Sequence, residues 1–217
     1  MLNAHHLRAS FANQPPILDD VSLSLAPGEW VGLNGDSGAG KSTLGKLLAG
    51  HLMPQAGYVE VDGAALPARG LRPVQWLPQS PELTVTPRWR VKRILEEAWT
   101  PPDALREAFG IEPGWLNRYP QALSGGELQR VNVLRALVPG VRYLVADEIS
   151  SMLDPLTQLA LWQALRQVAE ARGLGVLVIS HDEALLKRLC TRRLRLSEGR
   201  LHGAQSATAK APQATSR

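Results

Sequence analysis

The run Gly35-Asp36-Ser37-Gly38-Ala39-Gly40-Lys41-Ser42 is a complete G-x-x-x-x-G-K-[ST] phosphate loop. Glycines at 35, 38 and 40 allow the backbone to curl so that successive N–H groups point at phosphate oxygens. The start of a following helix adds its partial positive charge. Lys41 is the expected partner of the β- and γ-phosphates, and the Ser42 hydroxyl is the expected ligand of Mg²⁺. With Thr43 at the head of the helix, the whole run is read as the binding site of a nucleoside triphosphate. Its flanks suit that chemistry. The apolar Trp30-Val31-Gly32-Leu33 reads as a strand before the loop, and Thr43 to Ala49, closed by Gly50, reads as a helix after it.

A second chemical element ends another apolar run. Val141-Arg142-Tyr143-Leu144-Val145-Ala146 leads into Asp147-Glu148, a Walker B pattern. Asp147 is placed to hold the Mg²⁺ shell and Glu148 to polarise a water for attack on the γ-phosphate. Between the two elements lies Leu123-Ser124-Gly125-Gly126-Glu127-Leu128-Gln129-Arg130. A serine and two glycines before an amphipathic segment through Val131, Leu134 and Leu137 put bare N–H groups at a helix start, a second anion-binding surface. This segment resembles the LSGGQ signature of ATP-binding cassette (ABC) ATPases. The resemblance implies composite sites, with Lys41 of one subunit facing Ser124, Gly125 and Gly126 of another across a head-to-tail dimer.

The resemblance covers residues 2 to about 203 and assigns further roles. Gln79, after the strand-like Val74-Gln75-Trp76-Leu77, matches the Q-loop glutamine, which touches Mg²⁺ and the attacking water. Ser151-Met152-Leu153-Asp154 matches the D-loop at the dimer interface. His181, after the apolar run 174–179 and Ser180, matches the switch histidine that contacts the γ-phosphate. Phe11 stands where the family often stacks an aromatic ring on adenine. Tyr119-Pro120 and Thr86-Pro87-Arg88 look like motifs of the peptide and nickel importer branch. The chain departs from the family pattern at Ile149 for proline, Met152 for alanine and Glu127 for the signature glutamine. Ile149 and Met152 are expected to face structure and not phosphate. Asn132 interrupts the apolar pattern after the signature. With Lys41, Ser42, Gln79, Asp147, Glu148 and His181 all present, catalysis by an ATPase with ATP and Mg²⁺ is expected.

These groups need elements to hold them. Strand patterns dominate up to about residue 79, including Tyr58 to Gly63 as strand and turn. From 80 to 135 the spacing turns helical, with Val91, Ile94, Leu95 and Ala98 in register, a break at Pro101-Pro102 and a helix resuming over 104–109. From 136 to 203 strands and helices alternate again: strand 141–146, a helix carrying Leu161, Leu165 and Val168, then strand 174–179. The expected fold is α/β: a P-loop NTPase (RecA-like) ABC ATPase core, with an N-terminal antiparallel β portion and an inserted helical subdomain over 80–135. Residues 1–203 would form this single ABC domain. The tail from 204 to 217 has almost no apolar bulk and is expected to be disordered.

Composition bounds the function. At 217 residues and 44% hydrophobic the chain can bury a sizeable core. No run approaches the roughly 20 apolar residues of a membrane span, and the start lacks a signal-peptide core. A single cysteine, Cys190, rules out an internal disulfide. The net charge of +4 is spread along the chain, so no nucleic-acid partner is expected. The resemblance implies the ATPase subunit of a membrane importer for nickel, a metal chelate or peptides. It would sit at the cytoplasmic face of the inner membrane with a second ABC subunit, permease subunits and, indirectly, a substrate-binding protein. The competing readings are a soluble ABC ATPase in DNA repair or on ribosomes, which usually carries coiled-coil insertions or tandem cassettes, and a regulatory cassette. Intact Glu148 and His181 argue against the latter. No Asn-Lys-x-Asp motif for guanine is present.

Overall fold

Two sheets organise the chain in the computed structural model, which describes residues 1–11 and 15–206. The first is antiparallel and four-stranded, in the order β2 (Leu18–Leu25), β1 (Leu2–Ala9), β4 (Ala56–Val61), β5 (Ala64–Ala65). In β1 the alternation buries Leu2, Ala4, Leu7 and Ala9, so its period slips by one between Ala4 and Leu7. His6, with φ of 49°, absorbs the slip as a bulge.

The second sheet has six strands in the order β10 (Arg200–Ser206), β9 (Arg192–Ser197), β3 (Trp30–Asn34), β8 (Gly175–Ile179), β7 (Tyr143–Asp147), β6 (Val74–Leu77). All neighbours pair in parallel except β9 and β10. Every residue of β7 and β8 is buried, as expected of central parallel strands covered on both faces. Register aligns the carboxyl ends: Leu77 lies opposite Ala146, while Asp147 and Leu33 both lie opposite Ile179. The loops after β6, β7, β8 and β3 therefore leave from one edge of the sheet. That edge is where open α/β sheets bind ligands.

Helix α1 (Lys41–Leu48) covers one face. It shares a core with the antiparallel sheet, through Leu44, Leu47, Val31, Leu33, Val145 and Ile179. The other face carries α4 (Gly125–Ala136), α5 (Pro155–Arg172) and α6 (Glu183–Leu189). The segment between β6 and α4 holds α2 (Val91–Leu95), α3 (Asp103–Ala108) and three 3₁₀ turns. Val91, Ile94, Phe109 and Trp115 from this segment join Leu128, Val131 and Leu134 of α4, and that cluster continues into Leu77, Leu144 and Ala146 of the sheet. α5 has clear local punctuation: Asp154 caps it through the N–H groups of Leu156 and Thr157, Pro155 opens it, and Gly173 ends it in the left-handed region.

Several expected boundaries shift. The strand read as 141–146 runs Tyr143–Asp147, and that read as 174–179 runs Gly175–Ile179. α2 stops at Leu95, so Ala98 is exposed outside it. After Leu95 the chain leaves the helix with Glu97 and Ala98 exposed, Glu97 pairing with Arg135 of α4 at 2.8 Å while Trp99 packs against the cluster. β10 continues to Ser206 by pairing with Arg192 of β9, past the expected tail start at 204, since a strand ladder needs backbone groups and not apolar bulk. The rest of that tail, 207–217, lies outside the described residues.

Candidate functional site

Gly35 opens the phosphate loop with φ of 149°, and a Cβ there would lie 2.2 Å from the Leu196 carbonyl oxygen of β9. Only glycine lets the loop start pass so close to that strand. Gly38 and Gly40 also have positive φ, at 81° and 99°, and Gly40 is the left-handed residue before α1. α1 has no side-chain cap, which leaves its first N–H groups to serve an anion. Thr43 stands in the first turn of α1. Phe11, half exposed, stands just after β1. The Ile17 N–H donates to the Ala9 carbonyl, and the Ile17 carbonyl lies against Gly40.

Lys41 is almost fully buried and turns its ammonium toward the loop, donating to the carbonyl oxygens of Gly35 at 2.8 Å and Asp36 at 2.9 Å. Burial pulls the Lys41 ammonium below its ordinary range, against the pull of Glu148, Asp147 and Asp36. Its Nζ is also 3.3 Å from Nε2 of His181, and the same Nε2 is 2.9 Å from Oε1 of Glu148. One ring nitrogen cannot serve both partners in one protonation state. With a proton on Nε2 it donates to Glu148; without one it accepts from Lys41.

Glu148 has φ of 51°, an uncommon left-handed conformation for a non-glycine residue, and its N–H bonds Ile179 O at 3.0 Å. The turn throws its carboxylate past the end of β7 toward the loop after β8, where His181 stands. Beside it Asp147 is 4% exposed. Burial raises its carboxyl above the usual range, opposed by hydrogen bonds from Ser42 and Trp76 and by the charges of Lys41 and Lys46. Trp76 Nε1 is 3.3 Å from Asp147 Oδ2. Ser42 and Asp147 thus offer a hydroxyl and a buried carboxylate at one place. That hard oxygen pair fits Mg²⁺, and a cation there would offset the cost of burying the carboxylate.

Gln79 reaches the same region from β6. Its amide donates to Ser151 Oγ at 3.2 Å, and Ser151 Oγ donates to the Glu148 carbonyl at 3.0 Å. Glu148, Ser151 and Gln79 are therefore linked by hydrogen bonds, and His181 joins them through Glu148 when Nε2 carries a proton or turns to Lys41 when it does not. The signature residues are not part of that chain. Ser124 caps α4, accepting from the Glu127 N–H at 3.2 Å, while the Glu127 carboxylate accepts from the Ser124 N–H at 2.6 Å. Ser124 and Gly125 are exposed. A Cβ at Gly126 would lie 2.9 Å from Leu153, so the signature packs beside the D-loop of its own chain.

Of the departures from the family pattern, Ile149 is buried as expected, but Met152 is 74% exposed and does not face structure. It lies in the turn before α5, where no element covers it. Asn132, the polar interruption in α4, is buried and accepts from Thr84 Oγ1 at 2.8 Å. Sequence reading gave no functional role to Trp76, to the Ser151 hydroxyl or to Arg195, which pairs with Asp36 at 3.6 Å. A hydroxyl three residues after Glu148 is a local signal. Arg195 has none, because a crossover alone brings β9 beside β3.

Comparison with known proteins places the chain in the ABC transporter family. A model of the ABC transporter family matches residues 18–151. The nickel import ATP-binding protein NikE of Rhodospirillum rubrum is 36% identical over 204 residues, covering 85% of this chain and 74% of that protein. The hemin import ATP-binding protein HmuV of Bordetella pertussis is 43% identical over 210 residues, covering 86% and 79%. Among solved structures, an ATP-binding subunit of an ABC transporter aligns at a TM-score of 0.81 and 25% identity over 95% of this chain and 90% of that one. A dimeric ATP-binding cassette bound to ADP and Pi, at 22% identity, covers 95% of this chain and 98% of its own with a TM-score of 0.83.

Proposed function

From the premise that this chain belongs to the ABC transporter family, and is an ABC ATPase, we propose that it is the ATP-hydrolysing subunit of a membrane importer. The observation that carries the mechanism is the convergence of Lys41, His181 and Glu148 at the carboxyl edge of the parallel strands, with His181 Nε2 within reach of either partner. ATP lies along the phosphate loop from Gly35 to Thr43, with Lys41 turning from the loop carbonyls to the β- and γ-phosphates. Phe11 stacks on the adenine. Ser42, Asp147 and Gln79 hold Mg²⁺, which when bound neutralises charge on the phosphate oxygens. Glu148 accepts the proton of the attacking water while His181 donates toward the γ-phosphate. Ser124, Gly125 and Gly126 of a second cassette close the site from across a dimer, which fits the exposure of Ser124 and Gly125 at the start of α4.

Motion of residues 80–135 against the core is then passed near Gln79 to a permease, placing the chain at the cytoplasmic face of the inner membrane as a peripheral subunit. No helix among the described residues is long and apolar enough to cross a membrane. The proposed cargo is a metal chelate, nickel or a peptide. The higher identity to a hemin-import protein than to a nickel-import one favours a chelate.

The test is the Glu148→Gln protein. It should bind ATP as tightly as wild type and lose about a hundredfold or more of its turnover. Purified gently with Mg·ATP from native membranes, it should bring multi-span permeases with it. Recovery of ribosomal or DNA-repair proteins alone would sink the transport reading and leave the ATPase chemistry standing.

A further inference from the structure

On the face of the large sheet away from α1, a notch of about 280 Å³ opens beside the phosphate loop, lined by Asn34, Glu183, Arg193, Arg195 and His202. Its placement follows from register. Gly32 pairs with Arg193 and Asn34 with Arg195 in the parallel β3–β9 ladder, so both arginines project on the side where α6 packs. Gly32 leaves room for the Arg193 stem: a Cβ there would meet Arg193 Cγ at 3.3 Å and Leu186 of α6 at 3.2 Å. Arg195 stands opposite His202 across the β9–β10 hairpin.

The charges are uneven. Arg193 is partly buried, its Nε is enclosed without a hydrogen-bond partner, and among the described residues no carboxylate lies within 4 Å of it. Among the described residues Arg195 pairs with a single carboxylate, Asp36 of the phosphate loop, at a long 3.6 Å. The acid on the rim, Glu183, is itself matched by Lys187 at 3.8 Å. A half-buried guanidinium that gives up water without a carboxylate is costly unless an anion completes it, and its planar fork matches phosphate oxygens.

We propose that this notch binds a small tetrahedral oxyanion, held by Arg193 and Arg195, with inorganic phosphate as its natural occupant. The notch borders the phosphate loop but lies on the face of the sheet opposite α1. It is coupled to that loop through Arg195, which turns from Asp36 to the anion. Phosphate in the notch therefore loosens the hold of Arg195 on the Asp36 carboxylate, next to Gly35, and leaves Lys41 as the cation acting on it. The proposal does not depend on the hydrolysis mechanism above.

Isothermal titration of inorganic phosphate into the full chain tests it, with Mg²⁺ and a non-hydrolysable ATP analogue saturating the phosphate loop. One phosphate per chain is expected, displaced by sulfate and not by chloride. Phosphate affinity should fall about tenfold or more in Arg193→Gln and severalfold in Arg195→Gln, with analogue affinity in Arg193→Gln within twofold of wild type. Because Arg193 also packs against Gly32, the exposed Arg195→Gln variant decides the matter if Arg193→Gln does not fold. Competition by a simple phosphate monoester as effective as phosphate itself would place the source among phosphorylated molecules and overturn inorganic phosphate as occupant. Binding equal in wild type and Arg195→Gln, or a titration that never saturates, would overturn the site.

Discussion

Asp147, the proposed Mg²⁺ ligand, shows how a buried carboxylate works against the stability of the protein that holds it. Its carboxyl is raised by burial, so its folded-state pKa exceeds its unfolded one. Between those two values the folded chain holds the extra proton, and stability falls as pH rises through the window. Above it the cost of an ionised, buried carboxylate is complete. Asp147→Asn should therefore melt higher than wild type at pH 7 without nucleotide, with the gap closing as pH drops into the range of an ordinary aspartate. The same variant should lose the Mg²⁺-dependent part of its stabilisation by ATP. A lower melting temperature at pH 7 would mean that the attraction of Lys41 outweighs burial. Gly35 makes a different point at the same scale. Gly35→Ala must push against Leu196 O, and ATP affinity should drop at least tenfold by equilibrium titration. Gly28→Ala, where φ is 72° but nothing lies within 4 Å, should cost about 1 kcal/mol of stability and leave ATP affinity alone.

At the scale of elements, α1 and α4 use opposite devices at their starts. α1 begins at a left-handed glycine with no side-chain cap, while α4 begins with a full capping box. An uncapped start keeps its N–H groups for phosphate; a capped one is stable without a ligand. Ser124→Ala should cost about 1 kcal/mol in urea unfolding of the nucleotide-free chain, and Ser124→Thr much less. Equal stability of the alanine and threonine variants would show that α4 is held by packing of Leu128, Val131 and Leu134 alone. Glu127, which replaces the usual signature glutamine, keeps the box closed because either side chain can accept the Ser124 N–H.

As a whole the molecule has two sheets and two cores, and the proposed ATP chemistry gathers at one edge of the larger sheet. The phosphate loop and α1 belong to one core, and the capped signature helix to the other. Within one chain their hydrogen bonds do not join, so a second copy is the natural complement. Glu148→Gln should run in size-exclusion chromatography at twice the monomer mass with Mg·ATP and at the monomer mass with ADP. A monomer under both conditions would remove the composite site, or require a different second cassette.

The local motifs were legible because each is a short-range solution to a chemical problem. A glycine-rich turn after an apolar strand, two carboxylates after another, and Ser-Gly-Gly before an amphipathic run are written in neighbouring residues. The α/β alternation and the central strands were readable for the same reason, since burial on both faces leaves unbroken apolar runs such as Leu144 to Ala146. Strand ends were not, because they depend on where a partner's ladder stops, as at β10. Exposure of Met152, the buried bond of Asn132 to Thr84, the hydroxyl link from Gln79 to Glu148 and the pair of Arg195 with Asp36 all join residues that sequence keeps apart or leaves undirected. Residue type and spacing determined which chemistry this protein carries. Only the tertiary structure decided which groups meet, because parallel pairing of β6, β7, β8 and β3 brings four loops from distant sequence to one edge.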